Sequence, residues 1–489
     1  MLRELEELRT DAAGLAAALA RARYLRAAGL PQAASLRELL KAHRLACSGD
    51  GLSHAQEALG EARAEDPKRP ARIARLAALR DFVLRARALE LEPGAAQELF
   101  DLPQRPLVRL PGDAGLHGAL PEVHDARELP FTRSREQRAE MEAALSTALQ
   151  PADGARSAAW EAAQEAGARP RPETAGLAEK ILAGTDALAQ DLGGWLLERH
   201  AGARKGSAER HDVLHLLHAP RCASAFPRGE LERTVRRWGE MLRLDLSAGG
   251  AVKLDADDRP LKWPGARAEP LEPPFEVGLT FLPAEGPRAL ASLLAAVGVA
   301  QLRAAPPEDA PPEDLWLGDA AVFHACGFAL AQLLLEPEFV RRCAKAELSR
   351  DDQRALAIAA VFDARIDAAR ALASLQAHES GLGAKAARAH RDAWARATSA
   401  DLPAGLALCD LDPWNAALAR VEGRMLAARA RAFWRERYDE DFWRNPRSAA
   451  SLQGLWGRGG RPTCAELWAE MGTEPSPEPL LALLAESCR

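Results

Sequence analysis

Tyrosine is nearly absent from this chain: Tyr24 and Tyr438 are the only two in 489 residues. Chemistry that needs several tyrosine hydroxyls therefore has almost nothing to draw on. Lysine is scarce too, eight against 56 arginines. Beside abundant alanine, that ratio records a GC-rich coding bias more than selection for guanidinium chemistry. Basic and acidic residues nearly cancel, 64 against 70, for a formal charge of −6. Such a balance gives no electrostatic footprint for nucleic acid or an anionic membrane. The seven cysteines (Cys47, Cys222, Cys326, Cys343, Cys409, Cys464, Cys488) are odd in number, scattered and without a CxxC. They fit reduced thiols better than a disulfide framework.

Long apolar runs are missing as well. The purest, Ala289 to Ala300, is shorter than the ~20 residues a bilayer requires. The N-terminal MLRELEELRTD is charged from residue 3 and has no apolar core, unlike a signal peptide. The expectation is a soluble, cytoplasmic protein with neither nucleic acid nor membrane as partner; no feature of the pattern speaks to oligomeric state. No GxxxxGK[ST], no GxGxxG after a strand and no GxSxG occurs, so intact motifs name no reaction.

What is present is helical periodicity. At 47% hydrophobic residues, the chain can bury an ample core. Leu2, Leu5, Leu8, Leu15 and Leu19 recur at helical spacing, which predicts helices through an N-terminal region, 1–102. Their alternating charges are the ordinary mark of a solvated face; a structural coiled coil is the alternative. Prolines and glycines crowd 103–134 and exclude continuous helix there. From 135 to 489 the pattern is a helical body, broken near Pro151, Pro170, Pro172 and Gly457–Gly460. It is interrupted near 250–283, where turn chemistry precedes Phe275, Val277, Leu279 and Phe281 at period two. That spacing predicts one or two short strands. Apolar helices follow at 286–302 and 319–335.

One histidine stripe stands out: HDVLHLLH places His211, His215 and His218 on one helical face. Imidazoles four apart can bind zinc, but two leucines between them favour a packing face. A metal held there is the lesser alternative.

The segment RPLKWPGARAEPLEPPFEVGLTFLP, 259–283, resembles the run before the zinc helix in thimet-oligopeptidase-like metallopeptidases. Bacterial members carry a similar Pro-rich stretch followed by LHExGHA. Arg259, Pro260, Lys262, Pro264, Pro270, Pro274, Glu276, Val277, Leu279, Pro283 and Gly286 keep the order. The following helix reads LLAAVGVA, which puts Ala295, Ala296 and Val299 where the family has His, Glu and His. LGDAAVFHACGFALA, 317–331, resembles the helix bearing the third ligand, a glutamate, and places His324 there. The separation of 29 residues matches the gluzincin spacing. The closing helices, with Phe442, Trp443, Pro446, Leu452, Leu455, Trp456, Gly459, Glu466, Leu467 and Gly472, continue the likeness. Where the family has transition-state tyrosines, Trp414 and Asn415 stand.

The resemblance implies a mainly α, large two-lobed, zincin-like peptidase body, the N-terminal helices integrated with it. The family's cofactor is zinc, held by two imidazoles and a carboxylate with water in the fourth position. Ala295 and Val299 lack donor atoms, Ala296 lacks a base, and His324 alone supplies one imidazole. The expectation is therefore no catalytic residue and no bound cofactor. A pseudo-peptidase that binds a peptide or protein in a central groove, or scaffolds a partner, would fit; an active metallopeptidase with a relocated metal is the alternative.

Overall fold

The computed structural model describes residues 2–32, 34–65, 67–102, 106–109, 116–118, 134–203, 206–259 and 262–489. Helices dominate it, as the periodicity predicts. The site-forming ones are labelled α1 (Leu2–Ala27), α2 (Arg135–Leu149), α3 (Arg210–Leu217), α4 (Pro287–Ala304), α5 (Ala320–Ala331), α6 (Arg350–Ser380) and α7 (Ala416–Tyr438). Most of the expected connector, 103–134, lies outside the described residues, apart from an antiparallel pair, β1 (Pro106–Arg109) with β2 (Leu116–Gly118).

Leu5, Leu8, Leu15 and Leu19 of α1 are buried in a core shared with the helices Gly49–Glu65 and Pro70–Leu91. The leucine stripe is thus covered within the chain, not offered to a coiled-coil partner. The other flank of α1 lies on the sheet and the loop before it. Arg23 meets Glu269 at 3.1 Å, the Trp263 amide donates to the Ala27 carbonyl, and Arg259 donates to the Ala28 carbonyl.

The central sheet has three strands where one or two were expected: β3 (Val252–Asp255), β4 (Gly265–Glu272) and β5 (Glu276–Leu282). Their order is β3-β5-β4, with β3 parallel and β4 antiparallel to β5. Val277, Leu279 and Phe281 are all buried, as period two requires. Phe275 departs from that expectation: it sits in the turn after the cis Pro273–Pro274 bond and is 54% exposed. The Arg and Lys of the Pro-rich run have a structural task. Buried Lys262 donates to the Asp255 carboxylate and to the Asp255 and Asp257 carbonyls, and Arg259 grips the same carboxylate at 2.7 Å. Together they fasten the end of β3.

The helix expected at 286–302 spans Pro287–Ala304; that expected at 319–335 is α5 followed by a 3-10 turn to Leu335. Asp319 explains where α5 begins. One carboxylate oxygen caps the Ala321 amide at 2.9 Å, and the other accepts from the Cys464 amide at 2.8 Å. The landmarks Phe442, Trp443, Leu452, Trp456 and Leu467 are core residues, and the Trp443 carbonyl accepts the Trp238 indole N–H. No single helix among the described residues is long and apolar enough to cross a membrane.

Candidate functional site

α4 and α5 cross at a point where both are reduced to glycine. A Cβ on Gly298 would lie 2.3 Å from the Cys326 carbonyl oxygen; one on Gly327 would lie 3.5 Å from the Ala295 Cβ. Only backbone hydrogen allows the first approach. Ala295 is thereby set against the middle of α5, and His324 lies one turn before Gly327, about 4.5 Å along the axis. Along α4 the half-buried residues Arg288, Ser292, Ala295, Val299 and Arg303 form one stripe, while Ala296 is buried. Contacts between elements mark its ends: Arg303 stacks on Phe323 at 3.8 Å, and Arg288 pairs with Asp363 of α6. Beside its first turn, His218, Gly265, Leu282, Glu285, Arg288 and Ser292 line a cavity of about 280 Å³.

His324 is half-buried, its ring stacked on Phe328 with centroids 6.0 Å apart. Burial, reinforced by the Arg420 charge, pushes its pKa down to about 3, so the ring is neutral at pH 7. Zinc demands at least three donors converging on one point. Ala295 and Val299 present only C–H groups, Ala296 has no base, and one neutral imidazole remains. The residues present at this crossing do not fit the metal. Nor do the tyrosines reach it: Tyr438 bonds Ser451 at the far end of α7, Tyr24 is on α1, and Asn415 donates to the Arg169 carbonyl.

The histidine stripe folds as a helix, yet its three rings part company. His211 is fully buried, with Nε2 3.2 Å from Glu209 and Nδ1 3.2 Å from Asp212. His215 is buried, and its pKa falls to about 4 through burial and the Arg138 charge. His218 lines the cavity beside α4. A separate group does form: Glu142, Glu209 and His211 hold ligand atoms within 4.8 Å of one another, the one such group among the described residues. Guanidinium groups already occupy its surroundings. Arg210 donates to Glu142 at 2.8 Å, and Asp212 accepts from Arg135 at 2.9 Å and from Arg138 at 3.3 Å. Burial would raise the Asp212 pKa, but hydrogen bonds from His211, Arg135 and the Glu209 backbone hold it well below the carboxylate range.

Sequence reasoning missed the charges around His324. Asp367 of α6 is 1% exposed and accepts Nε–H bonds from Arg420 and Arg424 of α7. A signal was available, since two arginines four apart flank Gly423 on an alanine-rich helix. Their partner lies more than 50 residues away in sequence, and no local rule points to it.

No protein-family model and no curated protein matches the sequence. Solved structures do match the fold. The M32 carboxypeptidase of Deinococcus radiodurans R1 superposes with a TM-score of 0.58 at 14% identity, over 100% of this chain and 98% of its own. Trypanosoma cruzi metallocarboxypeptidase 1 gives 0.56 at 12% identity, over 100% of both chains. PZ peptidase A gives 0.60 at 11% identity, over 90% of this chain and 83% of its own. At such identities the likeness speaks to architecture alone: the fold is the one seen in these peptidases.

Proposed function

We propose that this protein binds a peptide or an extended protein segment along the α4–α5 stripe and does not hydrolyse it. One observation carries the reading. The helix crossing of a peptidase fold is kept to the tightness of paired glycines, while Ala295, Ala296 and Val299 bring no donor or base to it. Apolar, helix-favouring residues are what packing selects once ligands are not required, because an imidazole without a partner leaves an unsatisfied polar group. The small side chains also leave the stripe half-open, which a bound segment can use.

The test pairs binding with turnover. Supplied with zinc, the full chain should bind fluorogenic oligopeptides saturably and release no fluorescence. The combined variant Ala295→His, Ala296→Glu, Val299→His, His324→Glu should gain about one zinc per chain by elemental analysis. Zinc-dependent cleavage by the wild type, abolished by His324→Ala, would refute the proposal.

The Glu142, Glu209 and His211 group favours a second reading, a relocated metal centre. Stoichiometric metal in the wild type, lost on Glu142→Gln, would support it; the guanidinium groups around the cluster argue for an ion network instead.

A further inference from the structure

Arg420 and Arg424 stand one helical turn apart on α7 and share a single anchor. Their Nε atoms donate to opposite oxygens of Asp367, at 2.8 and 2.6 Å. A guanidinium has five N–H donors, and this grip uses one from each. The Nη groups of both side chains have no further hydrogen-bond partner among the described residues. They are not among the buried orphan nitrogens either, so they reach solvent; the Arg420 side chain is 37% exposed and that of Arg424 12%. The two forks are held by their inner edges and open outward.

The sequence builds this arrangement with one glycine. A Cβ on Gly423 would lie 2.6 Å from the His324 Cβ, so glycine lets α7 ride directly on α5. That approach brings both guanidinium groups over the Phe328 ring, at 5.5 and 4.2 Å, beside His324. Fixed charge near the His324 ring comes from α6 and α7. Arg420 and Arg424 of α7 face the single carboxylate of Asp367 on α6, which leaves one net positive charge, and the neutral His324 adds none.

We propose that Arg420 and Arg424 form a cradle for one carboxylate of the bound peptide, either its C-terminal group or an Asp or Glu side chain. This inference rests on the peptide-binding reading and names what the groove selects. Planar forks match a carboxylate's two oxygens, and charge-assisted bonds gain strength in a half-buried setting. One excess positive charge balances a monoanion; a phosphate dianion would leave negative charge beside Asp367.

Anisotropy titration of the full chain with a fluorescein-labelled hexapeptide (Ala-Ala-Phe-Ala-Ala-Leu) tests it. Three forms separate the sources: free C-terminus, C-terminal amide, and the amide with Glu replacing the fifth residue. At least one carboxylate form should bind roughly 10-fold tighter than the plain amide. Arg420→Gln should remove that advantage, so that the carboxylate forms bind no tighter than the plain amide; Arg420→Lys, which keeps the charge and loses the fork, should restore it in part and serves if the Gln variant fails to fold. Equal binding of all three forms would overturn the cradle while peptide binding stands. If no hexapeptide binds, thermal shifts with acetate and inorganic phosphate decide. Stabilisation by acetate, lost in both Arg420→Gln and Arg424→Gln, would support the cradle and refute the peptide reading. Stabilisation by phosphate alone, or by neither anion, would overturn the cradle.

Discussion

Two buried regions solve the problem of polar atoms in opposite ways. Around α3, donors and acceptors are dense: Glu142, Glu209, Asp212 and His211 meet Arg135, Arg138 and Arg210. At the α4–α5 crossing they are few, and Ala295 with the paired glycines Gly298 and Gly327 makes the contact. The first region carries the group with metal-ligand chemistry, yet its Glu142 and the neighbouring Asp212 are already paired with guanidinium groups. The second has no such chemistry, yet its neighbours Arg420 and Arg424 keep open donors. A potential ligand atom is informative only after its existing partners are counted.

The largest effect should come from breaking the dense region. Asp212 is fully buried, and its oxygens accept from Arg135 and Arg138. Replacing it by alanine takes a counter-charge from a buried guanidinium, because Arg138 is itself buried and its bond to the Ala201 carbonyl supplies no charge. Asp212→Ala should lose about 3–5 kcal/mol in chemical denaturation. A loss near zero would mean that water already satisfies these groups, and the contrast between the regions would fail.

A smaller loss is expected at the sparse region, from shape alone. Gly298→Ala pushes a methyl group into the Cys326 carbonyl and should cost about 1–3 kcal/mol. Gly60→Ala is the control: nothing lies within 4 Å of its Cβ position, and alanine favours helix by up to about 1 kcal/mol. Equal stability of the two variants would show that α4 and α5 do not meet at Gly298.

The contrast also separates what the sequence discloses from what it hides. Helices announce themselves through apolar spacing, so α4 begins and ends within two residues of expectation and α5 begins one residue from it. Val277, Leu279 and Phe281 disclose β5 by alternation. β3 was hidden because VKLD is short and lies amid turn residues, its parallel pairing with β5 fixed by distant contacts. The close meeting of α4 and α5 could be read because Gly298 and Gly327 stand in the two apolar helices that the pattern predicts. The Arg420–Asp367–Arg424 arrangement could not, since its members lie on different helices and only tertiary packing joins them. His211, His215 and His218, read chiefly as a packing face, are all buried, and they show that one helical face does not guarantee one destination once neighbouring elements claim each ring.

The subtlest difference between the regions is the pH window in which each loses stability. His324 has a folded pKa near 3, against about 6.5 in an unfolded chain. Between those values the unfolded state binds a proton that the folded state refuses, so stability declines as pH falls from about 6.5 toward 3. Asp367, Arg420 and Arg424 are the charged groups facing the ring, and the arginines oppose its protonation. Asp212 behaves differently. Its folded pKa lies below the unfolded value, so its contribution is intact above about pH 4 and disappears only under stronger acid. Lowering the pH from 7.5 to 5 should therefore leave Asp212 untouched and act through buried histidines, His324 at the crossing and His215 on α3. His324→Gln removes the titrating ring, so its urea midpoint should fall less over that interval than the wild type's. His215, with a folded pKa near 4, supplies a residual decline common to both proteins. Parallel midpoints at the two pH values would place the His324 ring in open solvent, and its contact with the arginine pair would have to be abandoned.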